Sequence, residues 1–410
     1  MRILLLSQWF DPEPGATKGL PLAKWLQGRG HEVKVLTGFP NYPGGKVYEG
    51  YRIRPWQRQV MDDVPVLRVP LVPSHDSSAR NRILNYTSFA ASATMIGGPA
   101  IGPADVCYAY SPPPTVGLPA VALKKTRGIP FLYHIADMWP DTVVESGMMA
   151  PGRKLETMEK YINVWCNFVY RQAAAITVLS PGFKEILVER GVPEEKIHVI
   201  YNWTDEDAFF PKAPDMELAK ELGLLDRFNI IYAGNLGPMQ NLETTVRAAK
   251  LLEHLPEIQL VICGTGHEEE KLKTLAKEIG ADNVRFIGRR QYWEMNEINA
   301  IADGLLVHLK DLPFFSSTIP GKTQVSLASG RPTIMAVAGD AASLIEQAEA
   351  GFACTPEDPA AMAEAMRRLY ETPPEDRQRM GSNAADFYNS TLSLQIGASR
   401  TEEILQQIRR

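Results

Sequence analysis

The sequence predicts an α/β protein built from two Rossmann-like domains, each with a parallel sheet. The chain has 410 residues, which is too long for one ordinary domain and suits two of about 200 residues. Short apolar runs alternate with amphipathic stretches and Gly/Pro turns, a βαβ rhythm typical of parallel sheets flanked by helices. The rhythm stops in the polar segment 201–215 and then restarts. We therefore predict domains at 1–203 and 204–390, followed by a helix in 391–410 that could cross back onto the first domain.

The first domain is expected to begin with a strand at 3–7, a helix at 20–30 and a second strand at 32–38. The run ILLLS is apolar throughout, the helical stretch LPLAKWLQGRG ends at Gly30, and EVKVLTG resumes a strand pattern. Four more strands are predicted at 105–110, 130–136, 174–180 and 196–200. This number of strands is sufficient for one Rossmann-like sheet.

The second domain repeats the order of strand, glycine loop and helix. Its strands are predicted at 228–234, 258–264, 284–288, 304–309 and 332–337. The loop GNLG follows the first of them and GTG follows the second. Ligands of such sheets bind at the carboxyl ends of the strands. We therefore expect the sites of the two domains to face each other across an interdomain cleft.

Composition and charge exclude several classes of protein. Apolar residues make up 45% and charged residues 22% of the chain, as in soluble globular proteins. Residues 1–200 contain 22 Lys+Arg against 17 Asp+Glu, and 201–410 contain 21 against 31. A balance of +5 over the first half is too small for a nucleic-acid-binding domain, so no nucleic-acid partner is expected.

Neither a disulfide framework nor a membrane span is expected. The four cysteines are far apart, without a C-x-x-C pair or a His/Cys cluster at metal spacing. The apolar run at the amino terminus is shorter than the hydrophobic region of a signal peptide. The longest charge-free stretch, 83–104, is interrupted by polar residues, glycines and prolines. A cytoplasmic protein with reduced thiols is the expectation.

Four segments carry a resemblance to a known family. They are RGHEVKVLTGFPNYPGGKVYEGY (29–51), HIADMWPDTVVESGM (134–148), YAGNLGPMQNLETTVRAA (232–249) and TIPGKTQVSLASGRP (318–332). In order and spacing they resemble family 4 retaining glycosyltransferases of the GT-B fold, in the branch with WbuB-like and colanic-acid-type enzymes. The resemblance implies transfer of a sugar from a nucleotide diphosphate donor, UDP-linked by expectation, to a polyprenyl-diphosphate-linked or oligosaccharide acceptor. It also implies retention of anomeric configuration without a metal ion or other cofactor.

The loop after the first strand of the second domain is a candidate donor site. Gly234, Asn235 and Gly237 precede a helix expected to start near Asn241, and backbone N–H groups at a helix amino terminus favour phosphate. The alternative is a plain turn in which glycine supplies only a positive φ. Many relatives carry Arg or Lys just after this loop, whereas this chain has Pro-Met-Gln-Asn. Any cation must therefore come from elsewhere.

Lys322 is the leading substitute for that cation. It opens a predicted helix after Pro320 and Gly321, and its ammonium is a suitable phosphate ligand. A solvated surface lysine is the alternative. Arg289 and Arg290, after strand 284–288, form a second candidate pair.

The resemblance also implies a ribose contact that this chain alters. Family members usually carry two glutamates eight positions apart, but if Gln324 takes the second place, Ser316 takes the first. The Gln324 amide would hold the donor ribose more weakly than a carboxylate does. A surface amide is the alternative for Gln324.

His134 and Asp137 are the candidate catalytic residues of the first domain. Both lie at the carboxyl end of strand 130–136, where His134 could hydrogen-bond the transferred sugar or a phosphate, and Asp137 could orient a basic group or an acceptor hydroxyl. A structural histidine is the alternative.

Gly15, in the first βα turn, is expected to approach substrate. This turn lacks the G-x-G-x-x-G fingerprint of NAD-binding proteins. The resemblance implies no enzymic nucleophile, because the departing phosphate takes the acceptor proton.

Segment 78–89 joins Arg80 and Arg82 to an apolar face on a predicted helix. Such a helix can lie on the inner surface of the cell membrane, where each basic group near anionic lipid contributes about 1 kcal/mol. An ordinary helix packed on the sheet is the alternative.

Two other functions also compete with glycosyl transfer: a nucleotide-sugar epimerase of the same shape, and a nucleotide-sugar-binding protein with little catalysis.

Overall fold

The computed structural model describes residues 1–14, 18–74, 78–145 and 152–409. The chain divides into two compact units. The first comprises Met1–Tyr201 with Gly397–Arg410, and the second comprises Asn202–Ile396. Each unit contains one sheet with helices packed against it.

The described residues of the first unit form an eight-stranded sheet in the order β3-β4-β2-β1-β5-β6-β7-β8. Its strands are β1 (Arg2–Ser7), β2 (Glu32–Gly38), β3 (Gln57–Met61), β4 (Val64–Val69), β5 (Val106–Ser111), β6 (Phe131–Ile135), β7 (Ala175–Val178) and β8 (Ile197–Val199). Its helices are α1 (Leu20–Gly28), α2 (Ala79–Ser92), α3 (Gly98–Ala100), α4 (Gly117–Arg127), α5 (Asp141–Glu145), α6 (Arg153–Gln172) and α7 (Pro181–Glu189). The recorded strand pairs are parallel apart from β3 with β4, which is antiparallel.

The second unit has a six-stranded sheet in the order β11-β10-β9-β12-β13-β14, and its recorded strand pairs are parallel. Its strands are β9 (Phe228–Ala233), β10 (Ile258–Cys263), β11 (Val284–Gly288), β12 (Gly304–His308), β13 (Thr333–Ala336) and β14 (Gly351–Ala353). Its helices are α8 (Met216–Leu222), α9 (Leu242–Leu251), α10 (Glu269–Glu278), α11 (Met295–Ile301), α12 (Pro313–Ser316), α13 (Gly321–Ala328), α14 (Asp340–Gln347), α15 (Pro359–Glu371) and α16 (Pro374–Phe387). Helix α17 (Leu394–Ile408) runs from this unit into the first.

The predicted fold class of two parallel-sheet α/β domains is confirmed. Each predicted strand is present, with ends within two residues of those expected. The reason is visible in β9, where Ile230 belongs to the apolar cluster on one face of the sheet and Ile231 to the cluster on the other. A strand buried on both faces needs an unbroken apolar run, which is the signal used for the prediction.

The sequence pattern missed three strands. Strand β3 has the sequence QRQVM and alternates between half-buried and exposed residues, so it offers no apolar run. Strand β4 contains Pro65 and the fully buried Arg68. Strand β14 has three residues, too few to show a period. Edge position removed the signal in β3, Pro65 and Arg68 interrupted the apolar run in β4, and brevity removed the signal in β14.

The end of α17 is attached to the first unit by a buried carboxylate. Glu402 is 7% exposed. His31 Nε2 lies 2.8 Å from its Oε1, and Arg29 Nε lies 3.3 Å from its Oε2. Hydrogen bonds to a charged, buried acceptor are among the stronger contributions to local stability.

We expect Glu402→Gln to loosen this attachment. Loss of the charge should weaken both contacts by about 1.4 kcal/mol in total, which corresponds to about tenfold faster amide hydrogen exchange in residues 397–408. Exchange measured by mass spectrometry tests this. The matched control is Glu403→Gln, whose side chain is exposed on the same helix. Equal exchange in the two variants would contradict the assignment.

Candidate functional site

A cleft of about 550 Å³ lies in the second unit, where several strands of its sheet end. The loops after β9, β10 and β11 and the first turns of α13 form its polar rim. Residues on that rim are Gly234, Asn235, Gly264, Thr265, Arg289, Arg290, Gly321, Lys322 and Ser326. The structure therefore brings together four of the predicted donor-site residues: Gly234, Asn235, Arg289 and Lys322.

Two glycines allow the loops after β9 and β10 to pack against each other. Gly234 has φ +148° and Gly264 has φ +153°, a region that L side chains rarely adopt. A Cβ on Gly264 would lie 1.8 Å from the Gly234 carbonyl oxygen. The Gly234 N–H donates to the Cys263 carbonyl at 2.8 Å, and the Leu236 N–H donates to the Thr265 carbonyl at 3.0 Å. These two backbone hydrogen bonds hold the loops together.

Lys322 extends from the start of α13 across to the loop after β9. A Cβ on Gly234 would lie 2.7 Å from the Lys322 Nζ, so the absence of a side chain there makes room for the lysine. The ammonium lies 4.9 Å from the centroid of the Tyr232 ring. Burial lowers the pKa of Lys322 to about 8. The side chain is thus half-buried at the cleft, unlike a solvated surface lysine.

The two arginines after β11 supply further positive charge. Arg289 is exposed and Arg290 is half-buried, and both line the cleft. The Nε atom of Arg290 is buried and has no hydrogen-bond partner among the described residues. A buried N–H donor without a partner carries a free-energy cost of about 1–3 kcal/mol, which an anionic oxygen would remove. Arg290 is therefore as strong a candidate as Arg289.

Gln324 and Gly237 lie outside the described lining of the cleft. Gln324 is 2% exposed, and the residues of α13 that line the cleft are Gly321, Lys322, Val325 and Ser326. The ribose contact of Gln324 stays a prediction, and its side chain is not among those that line this cleft. Gly237 also lies outside the lining, where a Cβ would come within 2.5 Å of the Asn235 amide nitrogen.

The helix after the glycine loop begins at Leu242, close to the expected Asn241. A short 3₁₀ turn, Pro238–Gln240, separates it from the loop.

Sequence reasoning missed Tyr232, since its position inside a buried strand resembles that of any core residue. It also missed Thr265, although the rule that ligands bind at the carboxyl ends of strands could have found it in the GTG loop.

Cys263 also lines the cleft, at the end of β10. Burial raises the pKa of its thiol to about 11, although the charge of Arg290 opposes this. The thiol is therefore protonated near neutral pH and is a poor nucleophile.

In the first unit, His134 is a fully buried residue of β6. Its Nδ1 lies 2.8 Å from the Thr177 hydroxyl, and its ring stacks between Tyr108 and Tyr110 at centroid distances of 5.6 and 5.4 Å. The Nε2 atom is buried without a hydrogen-bond partner among the described residues. Burial and the charge of Lys18 hold the pKa of His134 well below its usual value. The imidazole is thus neutral near pH 7 and acts as a hydrogen-bonding group.

Asp137 lies two residues beyond β6 and is half-buried. Burial raises the pKa of its carboxyl group. Lys18, on the loop before α1, is buried, and burial lowers the pKa of its amine to about 7. Gly15 lies outside the described residues. His134 lies near the end of β6 and Asp137 lies two residues beyond it. Both residues are therefore at the same edge of the sheet, as expected.

The described ranges contain neither a metal-binding cluster nor a membrane-spanning helix. No group of three or more His, Cys, Asp or Glu side chains there is arranged to hold a metal ion. No helix in the same ranges has both the length and the hydropathy needed to cross a bilayer. The expectation that no metal or cofactor is required stays a prediction.

Two family models match the chain and together cover most of it. The "Glycosyl transferase 4-like domain" matches residues 18–203, and "Glycosyl transferases group 1" matches residues 216–387. The chain belongs to the family 4 glycosyltransferases of the GT-B fold. The protein is therefore a glycosyltransferase, in agreement with the resemblance found in its motifs.

This glycosyltransferase is similar to two bacterial proteins whose names also describe glycosyl transfer. It is 27% identical to the "Putative colanic acid biosynthesis glycosyl transferase WcaI" of Escherichia coli (strain K12), over 83% of this chain and 82% of that protein. It is 23% identical to the "Probable glycosyltransferase WbjE" of Pseudomonas aeruginosa, over 61% of this chain and 62% of that protein.

Solved structures show the same fold. Anabaena HepE in complex with UDP superposes with a TM-score of 0.74 at 18% identity, covering 99% of this chain and all of that one. HepE has also been crystallised with UDP-glucose. WaaG, a glycosyltransferase involved in lipopolysaccharide biosynthesis, superposes with a TM-score of 0.65 at 17% identity, covering 98% of this chain and 99% of that one.

We expect Lys322→Ala to weaken UDP binding by about tenfold or more, because a charge-assisted contact is lost. In the wild type, the amine loses its charge as the pH rises above 8, while bound diphosphate favours the charged form. Affinity should therefore fall by up to about tenfold per pH unit above pH 8. Isothermal titration calorimetry between pH 6.5 and 9.5 measures both effects.

Lys322→Arg should bind UDP without this pH dependence, since a guanidinium stays charged throughout the range. The matched control is Lys277→Ala, an exposed lysine in α10 of the same unit. Unchanged affinity in Lys322→Ala would remove Lys322 from the donor site.

Proposed function

We propose that this glycosyltransferase is a retaining enzyme that moves a hexosyl or N-acetylhexosaminyl group from a UDP-linked donor. The acceptor is a lipid-linked or free saccharide in the synthesis of surface polysaccharide or glycoconjugates. The observation that carries the proposal is the cationic rim of the cleft, formed by Arg289, Arg290 and Lys322. The complexes of HepE with UDP and UDP-glucose, and the colanic acid role in the name of the E. coli relative, support it.

The proposed role of the cleft is to stabilise the departing nucleotide diphosphate. Breaking the bond between sugar and phosphate leaves negative charge on the diphosphate, and fixed cations in a partly dehydrated site lower the energy of that transition state. Lys322 and the guanidinium groups of Arg289 and Arg290 supply the charge. The leaving phosphate then accepts the proton of the attacking acceptor hydroxyl, so retention requires no enzymic nucleophile.

His134 and Asp137 keep their predicted role as the substrate-contacting groups of the first unit. The neutral imidazole of His134 presents a buried Nε2 that has no partner among the described residues. A sugar hydroxyl can satisfy that atom as either donor or acceptor, depending on the tautomer. The Asp137 carboxylate can orient the acceptor hydroxyl before transfer.

The cleft is less well suited to an epimerase. An epimerase needs carboxylates or comparable groups as acid and base at the sugar, and the described lining of this cleft contains no Asp or Glu. Two arginines and a lysine are a better match to a leaving diphosphate.

Membrane contact through α2 is the second part of the proposal. Ile83 and Leu84 are 51% and 48% exposed, and Arg80 is also exposed. Helix α2 packs on the sheet through buried residues such as Phe89, so the exposed apolar side chains lie on its outer face. Exposed Leu118 of α4 extends the apolar surface, since α2 and α4 are in contact. An anionic lipid surface suits this combination of apolar and basic groups.

Nucleotide release from a panel of UDP-, GDP- and dTDP-sugars, with and without lipid-linked acceptors, tests the transfer. We expect release of UDP that depends on the acceptor, because the diphosphate is the leaving group. A chemically changed sugar on an intact nucleotide would instead identify an epimerase. Tight binding without any release would identify a binding protein.

Flotation with vesicles containing phosphatidylglycerol tests the membrane contact. We expect wild-type protein to float, and Arg80→Glu/Arg82→Glu to partition at least about 30-fold less, from about 1 kcal/mol for each basic group lost. Arg171→Glu, exposed in α6, is the control for a change in net charge. If the wild type stays in the soluble fraction, this contact is rejected while the transfer proposal is unaffected.

A further inference from the structure

A row of four aromatic side chains, Tyr42, Trp9, Tyr86 and Trp139, lies in the first unit. Neighbouring ring centroids along this aromatic row are 5.1, 6.3 and 6.2 Å apart. Trp9 comes two residues after β1, Tyr42 four residues after β2 and Trp139 four residues after β6, while Tyr86 belongs to α2. Because β1, β2 and β6 are parallel, their carboxyl ends lie at the same edge of the sheet, where ligands of such sheets bind.

The rings of the aromatic row are more accessible than ordinary core aromatics. Trp9, Tyr42 and Trp139 are half-buried, and Tyr86 is 8% exposed. By contrast, Phe131 in β6 is fully buried. Trp9 and Trp139 both meet Tyr86 edge to face, with interplanar angles of 76° and 79°. The rings of the row therefore lie in different orientations.

A buried carboxylate fixes two of the loops that carry these rings. Glu13 is 3% exposed, and its Oε1 accepts hydrogen bonds from the backbone N–H groups of Asn41 and Tyr42, each at 2.8 Å. Its Oε2 accepts one from the N–H of Phe10 at 3.1 Å. The loop of Trp9 and the loop of Tyr42 are thereby joined by one side chain.

Buried amides extend this framework to α2. Gln8 Nε2 donates to Asn85 Oδ1 at 2.6 Å, and Asn85 Nδ2 donates to Asn41 Oδ1 at 3.3 Å. Asn85 directly precedes Tyr86 in α2. The loop of Trp139 is held separately, since Arg190 donates to the Trp139 carbonyl at 3.1 Å. Rings held in this way bind a ligand with little loss of conformational entropy.

Hydrogen-bonding groups without protein partners accompany the row. The indole Nε1 of Trp139 is buried and has no partner among the described residues, and the same holds for Nε2 of His134. His134 is 1% exposed and lies on β6, five residues before Trp139. Buried polar atoms normally have partners, so these two indicate a polar ligand at this edge of the sheet.

We propose that the aromatic row binds a pyranose ring of a saccharide acceptor. A pyranose ring has faces of C–H groups that pack against aromatic rings, and hydroxyl groups at its edge that need hydrogen bonds. The row supplies the first, and Trp139 and His134 supply the second. An isoprenoid chain would leave both buried nitrogens unsatisfied, at a cost of about 1–3 kcal/mol each, so a sugar is the better match. The inference rests on the proposed transferase function and identifies the acceptor side of that site.

Saturation-transfer-difference NMR tests the row without donor or turnover. The probes are the methyl α-pyranosides of glucose, galactose, mannose and N-acetylglucosamine, with irradiation of aromatic protein protons. We expect transfer to ring protons of at least one pyranoside with the wild type. Signals with Trp9→Ala and Trp139→Ala should be at least fivefold weaker. The matched control is Trp56→Ala, since Trp56 belongs to the same unit, lies outside the row and is 55% exposed. This control should leave the signal unchanged.

Trp139→Phe keeps a ring but removes the N–H, so its signal should lie between those of the wild type and Trp139→Ala. Because this variant changes the packing less than Trp139→Ala does, it separates loss of binding from loss of folding. Equal signals in the wild type and both alanine variants would overturn the proposal, as would the absence of any pyranoside signal. A row-dependent signal from geranyl phosphate alone would also overturn it in favour of an isoprenoid site. Acceptor-dependent UDP release can still be observed in each of these cases, so failure of the row is distinguishable from failure of the transferase function.

Discussion

Parallel strand pairing is the constraint on which the rest of this structure depends. It requires helices on both faces of each sheet, and it gathers the loops that follow the strands at one edge. In the second unit this edge brings together the loops after β9, β10 and β11, although about 55 residues separate the first from the last. In the first unit the same constraint places Trp9, Tyr42 and Trp139 at one edge. Both candidate sites are consequences of this topology.

The two edges are organised by different interactions. In the second unit, glycines let backbone pack directly on backbone, and Lys322 fills the space beside Gly234. In the first unit, a buried carboxylate and buried amides connect loops that are distant in sequence. The first arrangement leaves cations as the main polar groups facing the cleft, which suits a diphosphate. The second leaves partly exposed aromatic rings at the edge of the sheet, which suits a sugar.

Local charge at the cleft is opposite in sign to the charge of its half of the chain. Residues 201–410 carry 21 basic and 31 acidic side chains, yet the described charged residues of the lining are Arg289, Arg290 and Lys322. Screening over about 8–10 Å at ordinary ionic strength makes distant surface acids unimportant at the site. The positive side chains of the cleft thus come from the loop after β11 and from α13, and not from the segment after the glycine loop.

Patterns in the sequence determined the two parallel sheets, the glycine loops and the start of the helix that carries Lys322, because burial on both faces and loop chemistry leave local signals. Only the tertiary structure decided the hairpin of β3 and β4, the burial of Gln324, and the meeting of Trp9 with Tyr86. A hydrophobic period indicates that a residue is buried but not which partner it meets. The four rings come from segments up to 130 residues apart, and long-range strand pairing alone brings such segments together.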